Sequence, residues 1–248
     1  MNILLTNDDG IHSEGLQLMC KTLSQLDGVN VYVVAPDSQR SAFSHAINFH
    51  KSVKFLPVSD YFGAVMAFAS EGTPADCVKF ADKNLEVDFD LVISGPNNGE
   101  NYGHDILYSG TVGAAEEAIL CGLPAVAVSR LGMSGDYNAC VLFVRDNLDR
   151  LLKFDYDQCL ININVPVLPY EQIKDNVKVT VQGGALFDDY YEKAEGEHCW
   201  RLVGDKVFTH PDSDCDVAWA EKGYITITPL KISQTDYDKL QKVKELFK

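Results

Sequence analysis

The 248-residue chain is short of positive charge: 21 Lys and Arg stand against 36 Asp and Glu, a formal net charge of −15. Affinity for a nucleic-acid polymer comes mainly from Lys and Arg neutralising phosphates, so a general polyanion binder is excluded. Any phosphorylated substrate has to be met by a local device that overcomes the overall field. Long apolar runs are missing as well. No stretch approaches the ~20 apolar residues of a membrane span, and Met1-Asn2-Ile3-Leu4-Leu5-Thr6 has neither the basic flank nor the apolar core of a secretory signal. The seven cysteines are odd in number and scattered without a C-x-x-C pair, which argues against a zinc knuckle and against a disulfide framework. There is no internal repeat, no low-complexity tract, no Walker loop and no G-x-G-x-x-G after the first apolar run. What remains is an ordinary globular balance, 46% apolar and 23% charged. The expectation is a reduced, soluble, cytoplasmic protein without membrane or nucleic-acid partners.

The first two-thirds alternates short apolar runs with amphipathic segments. Ile3-Leu4-Leu5, Val29 to Ala35, Asp90 to Ser94, Ala125 to Val128 and Leu160 to Val165 read as strands. Between them, Leu16, Met19, Cys20, Leu23 and Leu26 recur at helical spacing up to Gly28. Thr73-Pro74 opens a second helix, with Thr73 as N-cap and Pro74 where a missing N–H costs nothing. Further helices cover Thr111 to Cys121 and Tyr137 to Leu152. Strands that are apolar throughout and separated by helices predict a parallel sheet covered on both faces, a Rossmann-like, doubly wound α/β core over residues 1–182. Ser52 to Phe55 and Val65 to Phe68 read as a side hairpin. From Gly183 the chain turns polar, aromatic and acidic, which predicts a β-hairpin arm, then a strand Tyr224 to Thr228 stopped by Pro229. Tyr237, Leu240, Val243 and Phe247 mark a terminal amphipathic helix. Residues 183–248 thus form an extension, exchanged between subunits, because a projecting arm and helix bury their apolar residues against a second copy.

In a doubly wound sheet ligands bind outside the carboxyl ends of the strands. Three such ends are rich in oxygen: Asn7-Asp8-Asp9-Gly10, Pro36 to Ser41, and Gly95-Pro96-Asn97-Asn98-Gly99-Glu100-Asn101. Adjacent carboxylates at a buried strand end either raise a pKa or hold a cation, and oxygen-only donors suit Mg²⁺ or Mn²⁺ rather than zinc. The plainer reading of Asp8-Asp9 is a turn or a helix cap. Tyr108-Ser109-Gly110-Thr111 puts hydroxyls and a glycine at a helix start, where N–H groups and the dipole favour an anion; simple N-capping is the plainer alternative. His104 and Asp105 lie between these segments as candidate proton donors, with an exposed loop histidine as the alternative. Arg40 is either a phosphate clamp or a surface ion pair. A receiver domain also carries paired acids after its first strand, but Ser94-Gly95-Pro96-Asn97 offers no phosphoacceptor Asp. A non-enzymatic acidic scaffold is the remaining rival class.

Asn7-Asp8-Asp9-Gly10, Ala35-Pro36-Asp37 with Arg40-Ser41, Glu71-Gly72-Thr73-Pro74 with Asp76-Cys77, Ser94-Gly95 with Asn97, Gly99, Asn101 and Gly103, and Tyr108-Ser109-Gly110-Thr111-Val112 together resemble the SurE family of 5′/3′-nucleotidases. Asn162-Ile163-Asn164-Val165-Pro166 and Gly223 to Leu230 extend the resemblance over nearly the whole chain. It implies a metal-dependent phosphatase acting on nucleoside monophosphates, with other small phosphomonoesters and short polyphosphate as further substrates. It also implies one Mg²⁺ or Mn²⁺ per subunit on Asp8, Asp9, Ser41 and Asn97, with Asp9 and Asn97 catalytic. Asn101, Ser109, Gly110 and Thr111 are implied to bind phosphate, and the assembly to be a homodimer or homotetramer. The chain departs from the family pattern at Gly95-Pro96-Asn97-Asn98, where an aliphatic residue usually precedes the Asn and a small one follows.

Overall fold

The computed structural model describes residues 1–208 and 214–247. In chain order the elements are β1 (Asn2–Thr6), α1 (Glu14–Leu23), β2 (Asn30–Pro36), β3 (Phe55–Pro57), β4 (Met66–Ser70), α2 (Pro74–Asn84) and β5 (Leu91–Asn98). A 3₁₀ turn (Gly103–Leu107) leads into α3 (Gly110–Leu120), β6 (Ala125–Arg130), α4 (Asn138–Leu151), β7 (Cys159–Val165), α5 (Tyr170–Ile173) and β8 (Val177–Val179). The chain ends with β9 (Ala185–Lys193), β10 (Trp200–Phe208), α6 (Asp216–Ala220), β11 (Ile225–Lys231) and α7 (Tyr237–Leu246).

A sheet of order β3-β4-β2-β1-β5-β6-β7-β11-β8 forms the centre. It is parallel from β4 to β7; β3 and β11 run against their neighbours β4 and β7. Alternation along each strand sorts side chains to two cores. Ile3, Leu5, Val31, Val33, Leu91 and Ile93 face the layer of α1 and α4. Leu4, Val34 and Val92 face α2 and α3 through Val78, Ala81, Val112, Ala115 and Ala118. Both faces are buried, which is why the strands read as unbroken apolar runs.

Thr73 caps α2 as the sequence predicts: its hydroxyl accepts from Asp76 N at 3.1 Å, while Asp76 Oδ2 accepts from Thr73 N at 2.9 Å. Several local expectations change. The segments read as a side hairpin do pair antiparallel, as β3 and β4, but they form the edge of the main sheet, because β4 also pairs parallel with β2. Helix α1 ends at Leu23, short of Gly28, whose positive φ of 74° serves the following turn. β5 runs past Ser94, through a register shift, to Asn98. β11 passes through Pro229 to Lys231. β8 pairs only Ile225 to Ile227, so Pro229 lies beyond its end, where a missing N–H breaks no ladder. β9 and β10 pair as a separate antiparallel ribbon, whereas β11 returns into the central sheet between β7 and β8. Among the described residues no helix is long and apolar enough to cross a membrane.

Candidate functional site

The connection after β1 packs α1 on one face of the sheet, and α3, which follows β5, covers the other. The crevice this opens at the carboxyl ends of β1 and β5 is the ligand position of a doubly wound sheet. Asn7 shapes its floor. The buried amide accepts from Gly10 N at 3.1 Å and donates to Gly10 O at 3.1 Å and Ser13 Oγ at 2.7 Å. That closes a turn over residues 7–10 and throws Asp8 and Asp9 across the sheet edge. Asp8 is only 4% exposed. Thr111 Oγ1 donates to its Oδ1 at 2.5 Å, and Arg40 N donates to its carbonyl at 2.7 Å. Burial pushes the Asp8 carboxyl up to about 6; the Thr111 hydrogen bond opposes this, and the neighbouring charge of Asp9 adds to it. Asp9 is also raised by burial, against the Asn98 N–H on its Oδ2 (2.8 Å) and the charge of Arg130.

Asp8, Ser41 and Asn97 line one cavity of about 240 Å³ together with Ala42, Asn98, Asn101, Asp105, Tyr108 and Ser109. Three loops, after β1, β2 and β5, therefore meet there. Asp9, Gly110 and Thr111 do not line the cavity; they contact groups that do. A Cβ on Gly110 would stand 2.9 Å from Asp8 Cβ and 3.0 Å from its Oδ2, so α3 starts against the carboxylate only because this residue is glycine. Ser109 Oγ caps α3, accepting from Val112 N at 3.0 Å. Asn97 Nδ2 donates to Gly99 O at 2.9 Å, which leaves Oδ1 as its acceptor. The donors fit a hard divalent cation: they are oxygens throughout, and the buried Asp8 with the half-buried Asp9 beside it has a charge excess that such an ion relieves.

Asn101 is held from behind. Its Nδ2 donates to Ser129 Oγ at 2.8 Å, and its N to Asn164 Oδ1 at 2.9 Å. Its carbonyl accepts from Asn162 Nδ2 at 2.7 Å and Asn164 Nδ2 at 3.0 Å. Ser129, Asn162 and Asn164 lie outside the strand-end segments that the sequence marks as oxygen-rich. The available signal was two amides at alternate positions of an otherwise apolar strand, which puts them on one face. Arg130 was also missed: a buried guanidinium at the carboxyl end of β6, lying over the Tyr137 ring at 4.4 Å and bonded to Asn98 Oδ1. The Asn98 that departs from the family pattern is thus its partner. Arg40 makes an ion pair with Asp37 at 2.9 Å and donates to Glu71 O at 3.3 Å, the surface pair rather than a clamp. Of the two candidate proton donors, Asp105 lines the cavity and His104 does not.

Fold and site together define a Rossmann-like α/β protein with a crevice where paired carboxylates meet a helix N-terminus. The model of the family described as survival protein SurE matches residues 3–189. The chain belongs to the SurE family. A protein of Desulfitobacterium hafniense named 5′-nucleotidase SurE is 40% identical over 251 residues, spanning 99% of this chain and 96% of its own. One of the same name from Caldanaerobacter subterraneus subsp. tengcongensis is 36% identical over 249 residues, 98% of this chain and 96% of its own. The crystal structure of the SurE protein from Aquifex aeolicus superposes with a TM-score of 0.84 at 31% identity, covering all of both chains.

Proposed function

We propose that the chain is a metal-dependent nucleoside monophosphate phosphohydrolase acting on 5′- and 3′-monophosphates, and on short polyphosphate. The observation that carries this reading is the shared cavity of Asp8, Ser41, Asn97, Asn101 and Ser109. The relatives named 5′-nucleotidase SurE support it. One Mg²⁺ or Mn²⁺ held by Asp8, Asp9, Ser41 and Asn97 would neutralise phosphoryl charge and supply an acidified water. The chain's own groups do the rest. Ser109 and Gly110 at the start of α3 hold phosphoryl oxygens at the positive end of the helix dipole. Thr111 fixes Asp8, Asn101 presents its amide from a rigid backbone, and Asn98 orients Asp9. Asp105, on the cavity wall, is the group through which a proton reaches the leaving ribose oxygen.

We also propose a cytoplasmic homodimer or homotetramer joined through β9, β10 and α7. In support, Tyr190, Tyr191, Trp200 and Leu202 are exposed on the ribbon, as are Tyr237, Val243 and Leu246 on α7 and Phe247 just after it. Sedimentation of the full chain reads the assembly.

Phosphate release from AMP with Mn²⁺, with and without a chelator, tests the activity, and a panel of 5′- and 3′-monophosphates sets its range. Chelator-sensitive release is expected. Silence across the panel would leave an acidic scaffold, and activity confined to non-nucleotide esters a different phosphatase.

A further inference from the structure

Ser41 and Ala42 reach the cavity from a segment without helix or strand, residues 41–50. Two of its non-glycine residues, Ala42 and Ser44, have left-handed φ values of 58° and 51°. Such conformations persist only where the surroundings over-determine them. The contacts that do so are specific. Ser44 N donates to Tyr108 O at 3.0 Å, and Ser44 Oγ to Leu107 O at 2.7 Å. Ala46 O accepts from Thr73 Oγ1 at 2.6 Å, and Asn48 donates twice to Asp76. Between these anchors, His45 meets α3: its Nε2 lies 2.8 Å from Glu117 and its Nδ1 3.2 Å from Glu116. The segment presses so closely on α3 that a Cβ on Gly113 would stand 2.6 Å from Ser44 O and 2.9 Å from His45 Cα.

Glu117 is 3% exposed, and a carboxylate so buried needs cationic partners. Lys79 of α2 supplies one at 2.5 Å and His45 the other. Resting on the reading of the cavity as catalytic, we propose that His45 is a positioning residue, whose pairing with Glu116 and Glu117 holds residues 41–48, and so Ser41, on the cavity wall. The titratable groups that face this cluster are Glu116, Glu117 and Cys121 at α3, and Asp76, Lys79 and Asp82 on α2. With His45 charged, the two glutamates are balanced by two cations. Donating hydrogen bonds to Glu116 and then to Glu117 raises His45 to about 9, so the balance holds at neutral pH. Above that pH two glutamates face Lys79 alone, and the segment loses its central tie.

Two variants test this, His45→Gln and Gly113→Ala, the second displacing the segment from the helix side with every charge kept. Hydrogen exchange of the Ser44 and Asn48 amides reads the segment without any catalytic assay. In both variants these amides are expected to exchange at least about tenfold faster, while those in the middle of α3 are unchanged. With AMP and Mn²⁺, kcat is expected to fall about tenfold with KM changed by less than about threefold. Wild type and Gly113→Ala lose kcat as pH rises through about 9, whereas His45→Gln shows no such fall. If His45→Gln leaves both the exchange and kcat as in wild type, the proposal is overturned. It is overturned equally if kcat drops with exchange unchanged, or if the alkaline fall persists in His45→Gln. A wild type that hydrolyses no monophosphate would sink the catalytic reading instead, and the exchange data would still decide whether His45 holds the segment.

Discussion

Thr111 Oγ1 donates to Asp8 Oδ1 at 2.5 Å across 103 residues of chain, so helix α3 grips the β1 loop through the carboxylate it starts on. Thr111→Val removes that hydroxyl at nearly constant volume. Asp8 then loses the hydrogen bond that opposes its burial, and kcat/KM for AMP is expected to fall roughly 10–100-fold, with a stability loss of about 1 kcal/mol. Steady-state kinetics beside urea unfolding separates the two effects.

Asp9→Asn keeps the side chain's shape and its acceptor for Asn98 N while removing one charge of the acid pair. Activity is expected to drop by about 10²-fold or more with an unchanged circular dichroism spectrum, as the proposed metal-activation role requires. A variant with wild-type turnover would end that assignment.

Gly110→Ala should separate helix propensity from site geometry. Alanine favours the helix by up to about 1 kcal/mol, but its Cβ would meet Asp8 at 2.9 Å. The expected outcome is a melting temperature within a few degrees of wild type and at least about tenfold lower kcat/KM. Full activity in this variant would show that Asp8 need not stay where it stands.

Asp216 is fully buried, and one carboxylate gathers three backbone donors: Gly103 at 3.1 Å, Gly183 at 2.7 Å and Val217 at 2.8 Å. It thereby ties the 3₁₀ turn beside the cavity to the root of the β9–β10 ribbon. Asp216→Ala strands all three donors and is expected to lower stability by about 3 kcal/mol, roughly 6–12 °C in melting temperature. Asp216→Asn, which keeps one acceptor, should lose about half as much. Calorimetry of the two variants gives the comparison.

The His45 cluster also sets a pH window for stability. His45 rises from 6.5 to about 9 on folding, so its contribution is complete below 6.5 and is lost as pH climbs through 9, on the order of 3 kcal/mol. Burial alone would raise Glu117, but hydrogen bonds from His45 and Lys79 bring it below its ordinary 4.5, so its contribution is lost as pH falls below that value. The cluster's contribution to the unfolding free energy, read from urea titrations, is expected to be full between about pH 5 and 6.5, to fall as pH rises from 6.5 through about 9, and to fall again below about 5. In His45→Gln the part of that decline between about pH 6.5 and 9 should be missing.

The sequence by itself determined the parallel core, because strands buried on both faces must be apolar throughout and Leu4 cannot face α3 unless Ile3 and Leu5 face the other layer. It determined the Thr73 cap, which needs only four neighbouring residues. It also pointed to Asp8, Ser41, Asn97 and Asn101, since strand ends in such a sheet share one edge, and to Ser109 as the start of a helix. β8 and α5 were not legible, being three and four residues long, too short to show a period. Tertiary structure alone decided that β11 runs through Pro229, that Asn162 and Asn164 grip Asn101, that Arg130 meets Asn98, and that His45 meets Glu117 72 residues away. Local patterns are written by a residue's near neighbours. Which polar groups meet across the molecule depends on strand order and on how closely a loop can approach a helix, and those are properties of the packed whole.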